Sequence, residues 1–116
     1  MPMTWTQLVV NSLDPEALGR WWAQALGWEY EIDQDGDVVV HAPGSAPDLL
    51  FLKVPEVKSV FNRLHLDFRP DDQKAEVARL LELGARTADV GQGEDVPWVV
   101  LADPEGNEFC VLSGRS

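Results

Sequence analysis

Apolar and polar residues alternate from Trp5 to Asn11, with Thr6, Leu8 and Val10 on one face and Trp5, Gln7, Val9 and Asn11 on the other. A period of two predicts a β-strand whose faces meet different surroundings. The period then lengthens: Leu18, Trp21, Trp22, Ala25 and Leu26 recur at helical spacing behind Asp14 and Pro15. Asp14 suits the N-cap, Pro15 the first helical position, and Gly27 the left-handed residue that closes a helix. Strand character returns from Trp28 to Ile32, Asp35-Gly36 marks a hairpin turn, and Val38 to His41 forms the return strand. Proline and glycine in the 43–47 segment require a loop, after which Leu49 to Val54 reads as another apolar strand.

The same order then repeats. Leu64, Leu66 and Phe68 alternate with Arg63, His65, Asp67 and Arg69, predicting a strand over 63–69. A helix is expected from about Asp71 to Leu83, burying a face drawn from Ala75, Ala78, Leu81 and their apolar neighbours, with Gly84 as its stop. The two glycine stops lie 57 positions apart. A loop is expected over 90–96, a strand over 98–101, a tight turn at Asp103-Pro104-Glu105-Gly106-Asn107 and a last strand over 109–112. The predicted class is α+β, built from two β-α-β-β-β modules: about 4–54, a connector at 55–62, and about 63–114. Neither half is long enough to cover its own apolar surface, so a single domain is expected.

Composition narrows the function. A chain of 116 residues with 45% hydrophobic content can bury one core. Twenty acidic against nine basic residues give a formal charge of -11, which repels a phosphate backbone and argues against nucleic acid as partner. No apolar run approaches the ~18 residues of a membrane span, and the first residues lack signal-peptide character, so a cytoplasmic protein without membrane association is expected. Cys110 is the only cysteine, which excludes an intrachain disulfide. Glycine-rich phosphate loops, the Gly-x-Ser-x-Gly elbow and the His-Glu-x-x-His helix are all missing from the sequence.

Asp14-Pro15, the pair Trp21-Trp22, the helix end Leu26-Gly27-Trp28 and above all Asp103-Pro104-Glu105-Gly106-Asn107 before an apolar strand resemble the vicinal oxygen chelate superfamily. Within it the chain is similar to small glyoxalase-like proteins related to bleomycin resistance proteins and extradiol dioxygenases. The resemblance implies two modules whose sheets curl around a shared cavity, with helices outside, and a homodimer. It also implies that Gln7 and His65 look into the cavity, since a shift of 58 superposes the first strands and matches Val9 with Asp67. Enzymes of the superfamily hold a divalent metal through the first and last strand of each module. The corresponding positions here are Gln7, Leu52 or its pleat neighbour Leu50, His65 and Cys110. Leucine cannot ligate, an amide is a weak donor, and a catalytic metal wants about three protein donors. The expectation is therefore no metal cofactor, with a divalent metal as the alternative and His65, Gln7 and Cys110 as its candidate ligands.

The candidate cavity residues are Gln7, Val9, Leu52, His65, Asp67, Trp98, Glu108 and Cys110. Histidine suits proton transfer near neutrality, and Asp67 follows His65 on the same strand face, which makes His65 the candidate catalytic residue. A His-x-Asp facial triad would need His41 as its second histidine. Trp21, Trp22 and Trp28 keep helical company and are expected in the core, whereas Trp98 could stack on a flat ligand and Glu108 could present a carboxylate or simply end a strand. Two functions follow. One is a small-molecule-binding protein with a degenerate metal site, sequestering an apolar or aromatic ligand. The other is a metal-dependent lyase, isomerase or dioxygenase using His65.

Overall fold

The structure, a computed structural model, describes residues 3–44, 46–60, 62–88 and 96–114. The chain divides into two compact units, Met1–Val57 and Lys58–Ser116. Unit one runs β1 (Gln7–Ser12), α1 (Pro15–Leu26), β2 (Glu29–Ile32), β3 (Val38–His41) and β4 (Asp48–Lys53). Unit two runs β5 (Leu66–Phe68), α2 (Gln73–Leu83), β6 (Arg86–Thr87), β7 (Val99–Ala102) and β8 (Glu108–Val111). The sheets have the same plan, β1-β4-β3-β2 and β5-β8-β7-β6, each pairing its first and last strands in parallel and the rest antiparallel. Of the loop expected over 90–96, all but Val96 lies outside the described residues.

Local chemistry explains α1. The Asp14 carboxylate accepts a hydrogen bond from the Ala17 amide at 3.1 Å, and the amides of Gly27 and Trp28 both turn back to the Ala23 carbonyl. Gly27 makes that closure in the left-handed region, φ 72°. Leu18, Trp21, Trp22 and Ala25 are buried, and the two indoles meet edge to face at 5.1 Å. They pack over Val38, Val40, Leu49 and Phe51, the alternate residues of β3 and β4. Gly19 lets the helix approach: a β-carbon there would lie 2.5 Å from Val38 Cγ1.

Unit two departs from the sequence reading in three ways. Leu80 is the buried residue of α2, whereas Ala75, Ala78 and Leu81 are exposed. The real contact side is set by Leu80 and half-buried Val77, and by Gln73, whose amide donates to the carbonyls of Pro97 and Val111 at 2.8 and 3.0 Å. Strand β5 begins only at Leu66 instead of at residue 63, and Leu64 stands 83% exposed outside it. The cause is the neighbouring connector: Asn62 is bonded to Glu108, which holds the chain in a bend before the ladder starts. The short strand β6 follows the α2 stop, a place where alternation over two residues carries no signal.

The turn from Asp103 to Asn107 is knitted by a fully buried carboxylate. Asp103 Oδ1 accepts from the amides of Glu105 and Asn107 at 3.0 and 2.9 Å, and the Asn107 side chain donates to both Asp103 oxygens. Asp33 repeats this in unit one, accepting from the amides of Asp35 and Asp37. The two turns join different hairpins, β2–β3 and β7–β8, so the likeness is one of turn chemistry and not of position.

Candidate functional site

In unit two the parallel register places Asp67 opposite Cys110, between the pairs of half-buried Leu66 with buried Phe109 and half-buried Phe68 with buried Val111. Side chains alternate across a strand, so Asp67 and Cys110 share the opposite face, which Val100 continues from β7. His65, just ahead of β5, sets Nε2 3.1 Å from Asp67 Oδ1. The Cys110 side chain faces the same carboxylate. One donor atom from each of His65, Asp67 and Cys110 lies within 4.8 Å of the others. The cysteine is buried, while the His65 and Asp67 side chains are each 49% exposed. Burial pushes the thiol above its usual range, and the Asp67 charge and hydrogen bond push it further.

Glu108 has a different role from a free carboxylate in a cavity. Lys58 Nζ lies 2.9 Å from Oε2, the Asn62 amide donates to Oε1 at 2.8 Å, and the side chains of Glu108 and Lys58 are only 10% and 20% exposed. Lys58 also donates to the Val60 carbonyl. Burial alone would raise the Glu108 carboxyl, but the bonds from Lys58 and the amides outweigh it and hold it below the usual carboxylate range. Glu108 thus ties the 58–62 segment to β8. Trp98 sits in a bend just before β7, 37% exposed.

In unit one the face of the sheet away from α1 carries a row across three strands: Val9, its β1–β4 partner Leu50, and Val39 on β3. Val9 is 46% exposed, and Leu50 and Val39 are half-buried. Gln7 stands opposite Asp48 and Leu52 opposite Asn11. Since Val9 corresponds to Asp67 and Asp67 faces Cys110, the counterpart of Cys110 is Leu50 rather than Leu52. The shift of 58 at the first strands becomes 60 at the last. Gln7, exposed at the end of β1, and Leu50 give unit one no strong metal donor at either superfamily position. The four-point set therefore does not fit a divalent metal.

At one end of this row His41 is held between two carboxylates, Nε2 2.9 Å from Glu31 Oε2 and Nδ1 3.5 Å from Asp48 Oδ2, spanning β2, β3 and β4. Asp48 also caps the Ala42 amide at 2.9 Å. Both His41 ring nitrogens are engaged within unit one, so no ring nitrogen is left for a facial triad. Sequence reasoning missed this staple, and it missed Lys58 and Gln73, because partners from distant segments leave no local pattern. Asp103 could have been found, since an Asp heading a Pro-x-Gly turn is the residue that bonds its own backbone.

Residues 7–112 match the family model described as a glyoxalase-like domain. No curated protein sequence matches the chain. Among solved structures, an antibiotic-binding protein, TnmS3 from Streptomyces sp. CB03234, is similar at 22% identity with a TM-score of 0.68, covering 99% of each chain. A glyoxalase/bleomycin resistance protein/dioxygenase family enzyme from Burkholderia phytofirmans PsJN is similar at 16% identity and TM-score 0.70, covering 97% of this chain and 100% of its own. A possible glyoxalase from Bacillus cereus is similar at 17% identity and TM-score 0.71, covering 95% and 98%. At such identities the likeness establishes the fold. Among the described residues no helix is long and apolar enough to cross a membrane.

Proposed function

Because the chain belongs to the glyoxalase-like domain family of the vicinal oxygen chelate superfamily, we propose that it binds an apolar or aromatic small molecule on a scaffold whose four-point metal centre has been lost. The observation that carries this reading is the apolar row Val9–Leu50–Val39, in which Leu50 stands where a metal-dependent relative has a donor. Apolar floors with a few polar groups at the edge are what small-molecule sites offer, and Gln7, Asn11 and the His41 staple stand at the margins of this one. Trp98 supplies a further half-exposed aromatic surface in unit two. The antibiotic-binding neighbour supports small-molecule binding without identifying the ligand. A homodimer is the expected state, which light scattering checks.

A thermal-shift screen of flat aromatic and apolar compounds tests the proposal. A compound present at a hundredfold its dissociation constant stabilises the native state by ~2.7 kcal/mol. The shift should vanish in Leu50→Asp, a half-exposed position where a carboxylate can be solvated, while the unliganded melting curve survives. A broad library that shifts nothing, or a hit indifferent to Leu50→Asp and Val9→Asp, counts against it.

A further inference from the structure

Given the ligand surface proposed above, on which this inference rests, the geometry points to an organic ammonium ion as the occupant of the row Val9–Leu50–Val39: a flat apolar body carrying one positive charge. The register extends this row by one strand to Glu31, which stands opposite Val39 on β2. Neighbouring strands lie ~4.8 Å apart, so the three apolar positions span roughly 10 Å and the carboxylate follows one strand further on. A two-ring aromatic with a one-carbon arm matches that reach. The next row along the strands is acidic as well, with Asp48 opposite Gln7 and Glu29 opposite His41. Side chains alternate along a strand, so these carboxylates share the face of Val9, Leu50 and Val39.

Charge selects the sign of the ligand. His41 lies between Glu31 and Asp48, yet with Glu29 beside it this end of the face stays negative even when the imidazole is protonated. The lysine and arginine of unit one, Lys53 and Arg20, are engaged elsewhere. Arg20 pairs with Glu16 along α1, and Lys53, in the phase of Phe51, donates to the Leu13 carbonyl. An anion is therefore repelled, whereas a cation gains at each carboxylate. The Glu31 and Asp48 side chains are 75% and 34% exposed, so they are reachable from solvent and also screened by it. Each carboxylate then contributes selectivity of about two- to fivefold, on top of the affinity that the apolar row supplies.

Three naphthalenes that share one body and differ in charge are the probes: 2-(aminomethyl)naphthalene, 2-naphthalenemethanol and 2-naphthoate. Titrated into the isotope-labelled full chain at low ionic strength, the amine should bind tightest and shift the amides of Val9, Val39 and Leu50. Added sodium chloride should weaken the amine and leave the alcohol unchanged. Glu29→Gln and Glu31→Gln should each weaken the amine by about two- to fivefold, while Glu16→Gln, which removes the same charge from α1, should not. Gln7→Lys sets an ammonium opposite Asp48 and should weaken the amine alone. Protonated His41 competes for Glu29 and Glu31 of β2 and Asp48 of β4, so the amine should bind better at pH 8 than at pH 6 and lower the His41 midpoint in return. The amide spectrum of each variant separates lost binding from lost fold. Equal binding of amine and alcohol at this row overturns the cation and leaves the ligand reading standing. Tighter binding of the naphthoate, an equal loss in Glu16→Gln, or amine shifts confined to the 33–37 turn also overturn it. If none of the three moves Val9, Leu50 or Val39, the cation and the ligand reading fall together.

Discussion

At the scale of single residues, the two histidines have separate duties. His41 has its pKa raised above the ordinary 6.5, chiefly by the hydrogen bond to Glu31, which with the charges of Glu31 and Asp48 outweighs an opposing desolvation. A raised folded-state pKa stabilises the native protein fully below the unfolded value, and that contribution fades as pH climbs through the folded value. His41→Gln should therefore cost thermal stability at pH 6 and progressively less toward pH 8. NMR titration should place the His41 midpoint above 6.5, and Glu31→Gln should lower it. A midpoint indifferent to Glu31→Gln would show that the contact has no weight in solution. Asp103 carries more. Its carboxylate serves the Glu105 and Asn107 amides and the Asn107 side chain from a fully buried position. Bonds to a charged group contribute ~1.5–3 kcal/mol each and are not additive, so Asp103→Ala should lower unfolding free energy by about 2–4 kcal/mol in urea. Asp103→Asn, which keeps one acceptor, should lose less.

At the scale of elements, helix α1 is held by a missing side chain. Glycine in a helix interior costs about 1 kcal/mol against alanine, yet Gly19 persists because Val38 leaves no room for a β-carbon. Val38 is β-branched, fully buried and stiff, so it cannot swing aside. Overpacking costs ~1–3 kcal/mol, so Gly19→Ala should lower the melting temperature despite its better helix propensity. Adding Val38→Ala should restore part of the loss, as a double-mutant cycle would read; a stabilised Gly19→Ala would remove the close-approach argument. The connector works differently. Glu108, held below the usual carboxylate range, contributes stability present above pH ~4.5 that disappears as pH falls through its folded value. Lys58→Ala leaves that carboxylate half-satisfied beside β8, and should cost about 1–3 kcal/mol and move acid unfolding to higher pH.

At the scale of the whole molecule, the doubled pattern conveyed the fold far better than the site. The order of the elements other than β6, both glycine helix stops and the burial of Trp21 and Trp22 follow from periods and stops that are local, and local signals are what a sequence prints plainly. The register that pairs Val9 with Leu50 and Asp67 with Cys110 joins residues some forty positions apart, and nothing in either segment reports it. The side of α2 misled for the same reason: alanine is indifferent to burial, and Gln73 reveals its contacts only once Pro97 and Val111 are beside it. Charge is the one global property visible from the start. With a formal charge of -11, self-repulsion opposes compactness. Against it stand exposed ion pairs such as Arg20 with Glu16 and Arg79 with Glu76. Such pairs are worth at most ~1 kcal/mol apiece and are themselves weakened by salt. The two effects have opposite signs, so salt decides between them. Raising ionic strength from ~0.01 to ~0.15 M shortens the screening length from about 30 to about 8 Å. That shortening quenches long-range repulsion more than contacts near 3 Å. The melting temperature should therefore rise across that interval with sodium chloride, and a fall would mean that local pairs outweigh the net charge.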